Sequence, residues 1–357
     1  MHKLSRKIIC LICCLFIITN TMYAEGSGEV FLEETEFCNI SDFEDFHYYL
    51  FCNTNLGSTS PSIVNAFIGS GAETSEDEVE LYQKFMEPFR ECGYEGYMEL
   101  DDISPDCQFV ITKEGAERSD FIKKWRLFDE ETEIGQKEAD DRYYCGLDYP
   151  FRIIKSGDAY TILDGETFDE KVDRLYEQTG YRCVKFNEQG NLAAGRKIQY
   201  NEMNNTDTWE MAICDLENAE ILLTFYQGEQ YNYVYQIQGD KESGRVVYQL
   251  GSRDFYEYTY PSGEIKYLGK DMYYPWYSPD GKYIAYSSPD MEACYDLDWD
   301  EAEEVLRILP GIYILEVETG KTAYIKQDVD DSLITRTFQW VEKDCFEKVM
   351  EKRNTTE

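Results

Sequence analysis

The feature that most constrains the fold is a tight turn near residue 280 that separates two short, alternating strands. The turn is Ser278-Pro279-Asp280-Gly281, with residues 274–277 before it and residues 282–287 after it. Pro279 presets φ at the first central position, Asp280 can bond to nearby backbone, and Gly281 tolerates the left-handed conformation that strains other residues. The segment is therefore predicted to be an antiparallel hairpin.

A second hairpin is predicted at residues 311–325, with its turn at Glu318-Thr319-Gly320-Lys321, so that four antiparallel strands result. This unit resembles the propeller repeat of TolB and of the propeller domains of the prolyl oligopeptidase family. The resemblance covers about residues 271–326, departs from the family at an acidic insert at 289–310, and implies a propeller scaffold. It rests on Pro275, Trp276, Ser278, Pro279, Asp280, Gly281, Lys282, Ile284 and Ala285 in the first hairpin and on Ile312, Tyr313, Thr319 and Gly320 in the second.

Weaker copies of the first hairpin are predicted elsewhere in the chain. Their turns lie at residues 104–107, 155–158, 187–190, 239–244 and 342–344. This spacing is close to the roughly 40 to 50 residues of a propeller repeat. The 30 tyrosines and 19 phenylalanines fall in short alternating runs, which favours β-structure. We therefore predict an all-β fold, a β-propeller of about six four-stranded blades with minor helical insertions.

The last predicted blade lacks residues for its outer strands. Residues 45–51 have the pattern of a strand, and we expect them to complete that blade and close the ring. The predicted divisions are a signal peptide at 1–24, an N-terminal segment with one helix at 25–100, and the TolB-like propeller at 101–357. The alternative is a helical N-terminal domain up to about residue 100, joined to an irregular all-β domain.

Three helices are predicted from capping residues and apolar spacing. Ser75 and Glu78 mark the start of the first helix. Thr167 and Glu170 mark the start of the second, which Gly180 ends. The third is predicted over residues 300–309.

The N-terminus has the pattern of an export signal. Lys3, Arg6 and Lys7 precede an apolar run at residues 8–18, which is shorter than the roughly 20 residues of a membrane span. We expect cleavage near Ala24, a secreted or cell-surface protein, and no transmembrane span after cleavage. Lipidation at one of Cys10, Cys13 and Cys14 is the less favoured alternative, because these cysteines lie inside the apolar run.

The formal net charge of −37 argues against nucleic acid as a partner, since such a field repels phosphate backbones. It favours cationic ligands or divalent ions, although a solvated acidic surface without a specific partner is the preferred explanation. After the predicted signal, nine of the 12 cysteines remain, scattered without a C-x-x-C pair. Their spacing does not suit zinc, and both disulfides and buried free thiols stay open.

No catalytic constellation emerges from the sequence. His47 is the only histidine after the signal, and it lies in a predicted aromatic strand. No G-x-S-x-G nucleophile motif occurs in the 357 residues. The acidic run containing Asp296, Asp298 and Asp300 begins like a calcium loop, but it lacks the glycine and the glutamate of an EF-hand. Calcium is therefore the one candidate cofactor, and an exposed insert is the alternative.

Three tyrosine runs could line a site for peptides or sugars, or pack between blades as strand residues. They are Tyr231/Tyr233/Tyr235, Tyr256/Tyr258/Tyr260 and Tyr273/Tyr274. The leading hypothesis is a non-catalytic exported propeller that binds a protein, peptide or saccharide partner. The alternatives are a carboxylate-dependent glycan-active enzyme on the same scaffold and a calcium-stabilised surface protein.

Overall fold

The fold was analysed in a computed structural model. It describes residues 37–54, 65–68, 97–107, 110–117, 120–127, 130–136, 153–156, 159–162, 165–201, 206–288, 297, 299–305, 308, 311–325 and 335–354. The predicted signal peptide and the predicted helix that begins near Ser75 lie outside these residues.

Antiparallel sheets of successive strands make up most of the described chain. The 97–136 blade contains β3 (Tyr97–Ile103), β4 (Val110–Glu117), β5 (Asp120–Leu127) and β6 (Glu130–Gln136). A hairpin follows, formed by β7 (Ile153–Ser156) and β8 (Ala159–Ile162). The 182–228 blade contains β9 (Arg182–Phe186), β10 (Leu192–Asn201), β11 (Thr206–Asp215) and β12 (Glu220–Gly228).

Two further blades follow directly in the chain. The 232–270 blade contains β13 (Asn232–Gly239), β14 (Gly244–Leu250), β15 (Asp254–Tyr260) and β16 (Glu264–Lys270). The 273–325 blade contains β17 (Tyr273–Tyr277), β18 (Tyr283–Ser287), β19 (Ile312–Glu316) and β20 (Thr322–Ile325). In all four complete blades each strand pairs with the next in sequence, the order expected of a propeller blade.

The two ends of the described chain meet in one sheet, the terminal sheet. β1 (Tyr48–Thr54) lies between β2 (Asn65–Ile68) and β21 (Thr335–Glu342). The N-terminal strand thus pairs with the C-terminal one as expected, with Leu50 opposite Trp340, although it begins at Tyr48 rather than at residue 45. Asp45 instead adopts a positive φ of 60° in the turn that precedes the strand.

The first strands of neighbouring sheets lie side by side. β13 contacts both β9 and β17, and β21 contacts both β17 and β3. The all-β propeller class and the TolB-like blade predicted from residues 271–326 are confirmed by these sheets.

Five of the six predicted first hairpins are present. β3–β4, β7–β8, β9–β10, β13–β14 and β17–β18 turn at the predicted positions. The sixth, at 342–344, is wrong because the chain continues into a helix, Lys343–Asn354. The apolar side chains Phe346 and Met350 of that helix pack against Phe51 of β1, and this burial favours a helix over a returning strand.

Two other helices are described. α1 (Gly165–Thr179) is the predicted second helix, although it begins two residues before Thr167, and Gly180 ends it with a φ of +74°. α2 (Trp299–Val305) lies within the acidic insert and is shorter than the predicted 300–309. The C-terminal helix Lys343–Asn354 is α3.

The core consists of apolar layers between adjacent sheets. One layer joins the 182–228 and 232–270 blades through Met211, Val234 and Val246, and the next joins the 232–270 and 273–325 blades through Val247, Tyr277 and Ile284. A third layer connects Ile314 of β19 with Leu50 and Trp340 of the terminal sheet. The packing role considered for the tyrosines thus holds for those buried in these layers, such as Tyr248 and Tyr258.

Candidate functional site

The repeat-motif residues 275–281 stabilise the turn between β17 and β18. Ser278 is fully buried; its Oγ accepts a hydrogen bond from the Tyr283 amide at 3.0 Å and donates to Asp280 Oδ1 at 2.6 Å. Gly281 has a φ of +70°, the left-handed conformation for which the turn was predicted to need glycine. Trp276 lies just upstream, where its carbonyl accepts from Trp340 Nε1 of the terminal sheet at 3.2 Å, while Pro275 is buried.

The turn between the first two strands accepts hydrogen bonds from a neighbouring sheet in three of the blades. Gln238 of the 232–270 blade donates to the carbonyls of Ser278 at 2.8 Å and Pro279 at 2.9 Å. One blade earlier, Asn187 Nδ2 donates to the Gly239 carbonyl at 2.8 Å. On the far side, the Glu342 amide of β21 donates to the Pro105 carbonyl of the 97–136 blade at 2.7 Å. We call these hydrogen bonds together the turn circuit. They connect the first turn of one blade with the adjacent sheet.

His47 lies beside this circuit. Its Nδ1 is 2.6 Å from the Asp45 carbonyl, and its ring lies 4.2 Å from that of Tyr48, centroid to centroid. An open concavity of about 400 Å³ is lined by Asp45, Phe46, His47, Glu342 and Asp344. His47 is exposed and lies in the turn before β1, so it is a surface residue in contact with an aromatic neighbour.

The buried acids of the described residues all have partners. Asp271 binds Arg253 through two hydrogen bonds of 2.8 and 2.5 Å, and Arg253 also reaches Glu304 of α2 at 2.7 Å. These hydrogen bonds raise the pKa of Arg253 above its ordinary value. Glu257 accepts a hydrogen bond from Tyr277, and Asp215 binds Lys241 at 2.8 Å. All three carboxylates thus serve packing between elements.

The predicted calcium residues are only partly within the described chain. Asp300 is exposed in the first turn of α2. Asp296 and Asp298 lie outside the described residues, so a calcium site there stays a prediction. Five cysteines, Cys38, Cys107, Cys183, Cys214 and Cys345, are free thiols.

An exposed aromatic surface lies on the long central hairpin of the 182–228 blade. β10 and β11 run for 10 residues each, twice the length of β9. Ile198 and Trp209 are directly opposite each other in the ladder, and Tyr200 is two residues further along the same face. The Tyr231 ring lies 5.3 Å from that of Trp209 at 77°. We call Ile198, Tyr200, Trp209 and Tyr231 the aromatic ledge.

The ledge is unusually exposed for its composition. Tyr200 is 60% exposed, Tyr231 50% and Ile198 48%, while Trp209 is half-buried. The Arg196 guanidinium lies 5.5 Å from the centre of the Trp209 ring, at the edge of the ledge. Grouped apolar exposure of this kind, with a charged residue at its rim, is typical of interaction sites.

The three tyrosine runs divide between the two roles considered for them. Tyr231 and Tyr233 are exposed, but Tyr235 is half-buried next to Phe255, and desolvation raises its pKa well above the ordinary value. Tyr273 is 9% exposed, and Tyr274 adopts a positive φ of 54°. Positive φ in a bulky residue is strained, and the strain here is confined to the start of β17.

Sequence reasoning missed most of the ledge. Of its four residues only Tyr231 belongs to a singled-out run, because Ile198, Tyr200 and Trp209 lie in ordinary alternating strands. The available signal was the spacing of two between Arg196, Ile198 and Tyr200, which places all three on one face.

Comparison with known proteins finds similarity among solved structures. No protein-family model and no curated protein matches the chain. Solved structures that are similar include TolB from Acinetobacter baumannii, with 10% identity over 66% of this chain and 44% of that one and a TM-score of 0.27. An oligogalacturonate lyase from Vibrio parahaemolyticus has 8% identity over 65% of this chain and 78% of that one, with a TM-score of 0.30.

The β-propeller domain of the Trilobed protease from Pyrococcus furiosus has 13% identity over 64% of this chain and 56% of that one, with a TM-score of 0.24. The chain thus spans less than half of the TolB chain that it matches. The sheets define the protein class as a β-propeller, and the 273–325 blade contains the repeat motif that resembles that of TolB. Within the described residues, no helix is long and apolar enough to cross a membrane.

Proposed function

We propose that this protein is an exported, non-catalytic propeller that binds a protein, peptide or saccharide partner through the aromatic ledge. The single observation that carries the proposal is the exposure of Ile198, Tyr200 and Tyr231 around Trp209 on one continuous surface. Tyrosine and tryptophan supply large contact area at a small entropic cost, and they dominate the energetics of many interfaces. Export is supported by the basic and apolar pattern of residues 1–24.

The scaffold suits such a role because the ledge is held rigidly from beneath. On the same face as Trp209, Met211 and Ile213 are fully buried in the layer shared with the 232–270 blade. A rigid platform loses little conformational entropy on binding, so more of the contact energy appears as affinity. The enzyme alternative has no specific observation in its favour among the described residues, and it stays a prediction.

The proposal is tested by binding of the full chain to arrays of glycans and peptides. Trp209→Ala and Tyr231→Ala should each weaken the strongest interaction at least tenfold, since anchor aromatics in interfaces typically contribute about 2 kcal/mol or more. Tyr267→Ala is the matched control, because Tyr267 is also 50% exposed but lies on β16, the last strand of another blade. Equal binding by the wild type, both ledge variants and the control would refute the assignment of the ledge as the binding surface.

A further inference from the structure

The central hairpin of the 182–228 blade extends beyond the strands on both sides of it. The ladder between β9 and β10 ends at Arg196, whereas the ladder between β10 and β11 continues to Asn201. On the other side of the hairpin, β12 ends opposite Trp209. Residues 197–201 and 206–208 therefore form a two-stranded projection at the end of the blade that bears the ledge. We call residues 197–201 of β10 the open edge.

The open edge has no neighbouring strand among the described residues. Alternate residues of a strand direct their N–H and C=O groups to opposite sides, so part of this backbone faces away from β11. The chain that leads into β9 lies elsewhere. Gly180 and Tyr181 lie against the side chain of Lys197, which leaves the sheet on the face opposite the ledge. A strand edge of this kind is a template for pairing with another extended chain.

An exposed carboxylate lies on the ledge face of the projection. Asp207 is directly opposite Tyr200 in the ladder, so its side chain leaves the same face as those of Tyr200 and Trp209. Asp207 is exposed, and the ion pairs found in the described part of the chain involve other acids. The ledge therefore presents negative charge beside its rings.

The cations of this region are directed at aromatic rings. The Arg196 guanidinium lies over the ring of Trp209, and the Lys197 ammonium lies 5.6 Å from the centre of the Tyr181 ring. Lys197 is also opposite Glu210 in the ladder. The projection is acidic like the chain as a whole, because residues 197–210 contain Lys197 against Glu202, Asp207 and Glu210.

The net charge favours a basic segment over other occupants of the open edge. The formal charge of −37 repels a second copy of the chain and any acidic segment, and it attracts basic ones. Neighbouring strands lie about 4.8 Å apart, so a strand added to β10 runs about 10 Å from β11. From there a lysine or arginine side chain can cross Tyr200, which is 60% exposed, and reach the Asp207 carboxylate. Its aliphatic part then packs on the tyrosine ring while its charged group meets the carboxylate.

We propose that the open edge binds an extended basic peptide, which adds to β10 as a further strand of the sheet and directs a lysine or arginine across Tyr200 to Asp207. In this binding mode, backbone hydrogen bonds along residues 197–201 supply affinity, and side chains that contact Ile198 and Tyr200 supply specificity. This proposal rests on the proposed function of the ledge, whose ligand it identifies as a peptide.

The test measures binding of the full chain to four synthetic peptides by isothermal titration calorimetry at about 0.15 M salt. The basic peptide is acetyl-Lys-Val-Lys-Tyr-Lys-Val-Lys-amide, and glutamine or glutamate replaces lysine in the neutral and acidic peptides. The fourth peptide is the basic one with every backbone amide N-methylated, so that it keeps its charge but cannot donate to β10. We expect the basic peptide to bind at least about tenfold more tightly than each of the others.

Two variants and one exchange measurement locate the site. Asp207→Asn should weaken binding of the basic peptide at least about threefold and leave the neutral peptide unchanged. Glu220→Gln is the matched control and should change neither, because it removes the same charge from an exposed residue of β12 on the same blade. The basic peptide should slow amide hydrogen exchange within residues 197–201 at least about tenfold.

Several outcomes would overturn the proposal. Equal binding of the basic and neutral peptides, or equal losses in the two acid variants, would reject the basic ligand. Equal binding of the N-methylated peptide, or unchanged exchange at residues 197–201, would reject strand addition. Protection of these amides that rises with protein concentration without peptide would assign the edge to a second copy. Failure of all four peptides would also reject the proposal, whereas the proposed function is decided separately by the Trp209 and Tyr231 variants on the arrays.

Discussion

The 273–325 blade and the 182–228 blade share one strand order but differ in what they expose. The first carries the repeat motif, and Tyr283, Ile284 and Ile314 at its centre are almost fully buried. The second lacks the motif, and its central strands extend into an exposed ledge. The recognisable motif thus lies in the blade whose centre is almost fully buried, while the proposed binding surface lies on the blade that departs from the motif.

The largest expected effect is a difference in the free energy of unfolding between two isoleucine variants. Each isoleucine lies on an inner strand of one of the two blades. Ile314→Ala should lower the free energy of unfolding by about 2–5 kcal/mol, because it opens a cavity where Ile314 packs opposite Ala285 and Ala323. Ile198→Ala at the ledge should cost under about 1 kcal/mol, since Ile198 is 48% exposed. Urea unfolding of both variants measures the difference. Similar losses of unfolding free energy would contradict the division between a buried blade and an exposed one.

The second comparison concerns the polar residue that opens each first turn. Asn187 Oδ1 accepts from the amides of Asn191 at 3.1 Å and Leu192 at 3.0 Å, and its Nδ2 reaches the next blade. Ser278 Oγ accepts from one amide only. Asn187→Ala should therefore cost about 2–3 kcal/mol and Ser278→Ala about 1–2 kcal/mol, since each leaves buried donors unpaired.

Thermal and urea unfolding measure these losses. Asn191→Ala is a control at the same turn, because Asn191 contributes its side-chain carbonyl to Asn187 Nδ2 but leaves the Asn187 bonds to the backbone intact. A loss on Ser278→Ala larger than that on Asn187→Ala would show that the motif blade depends more strongly on its turn than the ledge blade does.

These contrasts also show how far the sequence could predict the structure. Turn chemistry is local, so residues 278–281 and four of the five weaker turns specified their hairpins correctly. The Glu342 turn failed because its outcome depends on Phe346 and Met350 reaching Phe51 across the molecule. The ledge could not be predicted because exposure of Tyr200 and Tyr231 depends on where a neighbouring blade ends. The pairing of Arg182 with Arg196 likewise required the strand register.

A smaller effect is expected from the ion pair that joins the ledge blade to its neighbour. Burial alone would raise the pKa of Asp215, but hydrogen bonds from Lys241 and Asn218 outweigh it and hold that pKa below its ordinary value. A carboxyl with a lowered folded pKa contributes stability above its unfolded pKa of about 3.9, and the contribution is lost as pH falls through the folded pKa.

Asp215→Asn should therefore reduce stability at pH 7, and the gap from the wild type should close as pH falls through the lowered folded pKa of Asp215. Urea unfolding at pH 7, 4 and 2.5 measures this gap. Glu217→Gln is the control, since the Glu217 side chain is 54% exposed and should shift stability little. A gap that stays constant with pH would show that Asp215 acts through its turn hydrogen bonds rather than through its charge.

The smallest expected effect is the repulsion between Arg182 and Arg196, which are direct partners in the β9–β10 ladder. Single substitutions cannot isolate it, because each also removes a contact with an aromatic ring, to Tyr176 or to Trp209. A double-mutant cycle with Arg182→Gln and Arg196→Gln cancels those contacts and leaves the pair term. We expect a repulsive coupling of about 0.2–1 kcal/mol that diminishes between 0.05 and 1 M salt, about the range over which ionic strength screens exposed charges. A coupling that is attractive or independent of salt would mean that the two guanidiniums do not approach each other, although their residues are partners in the ladder.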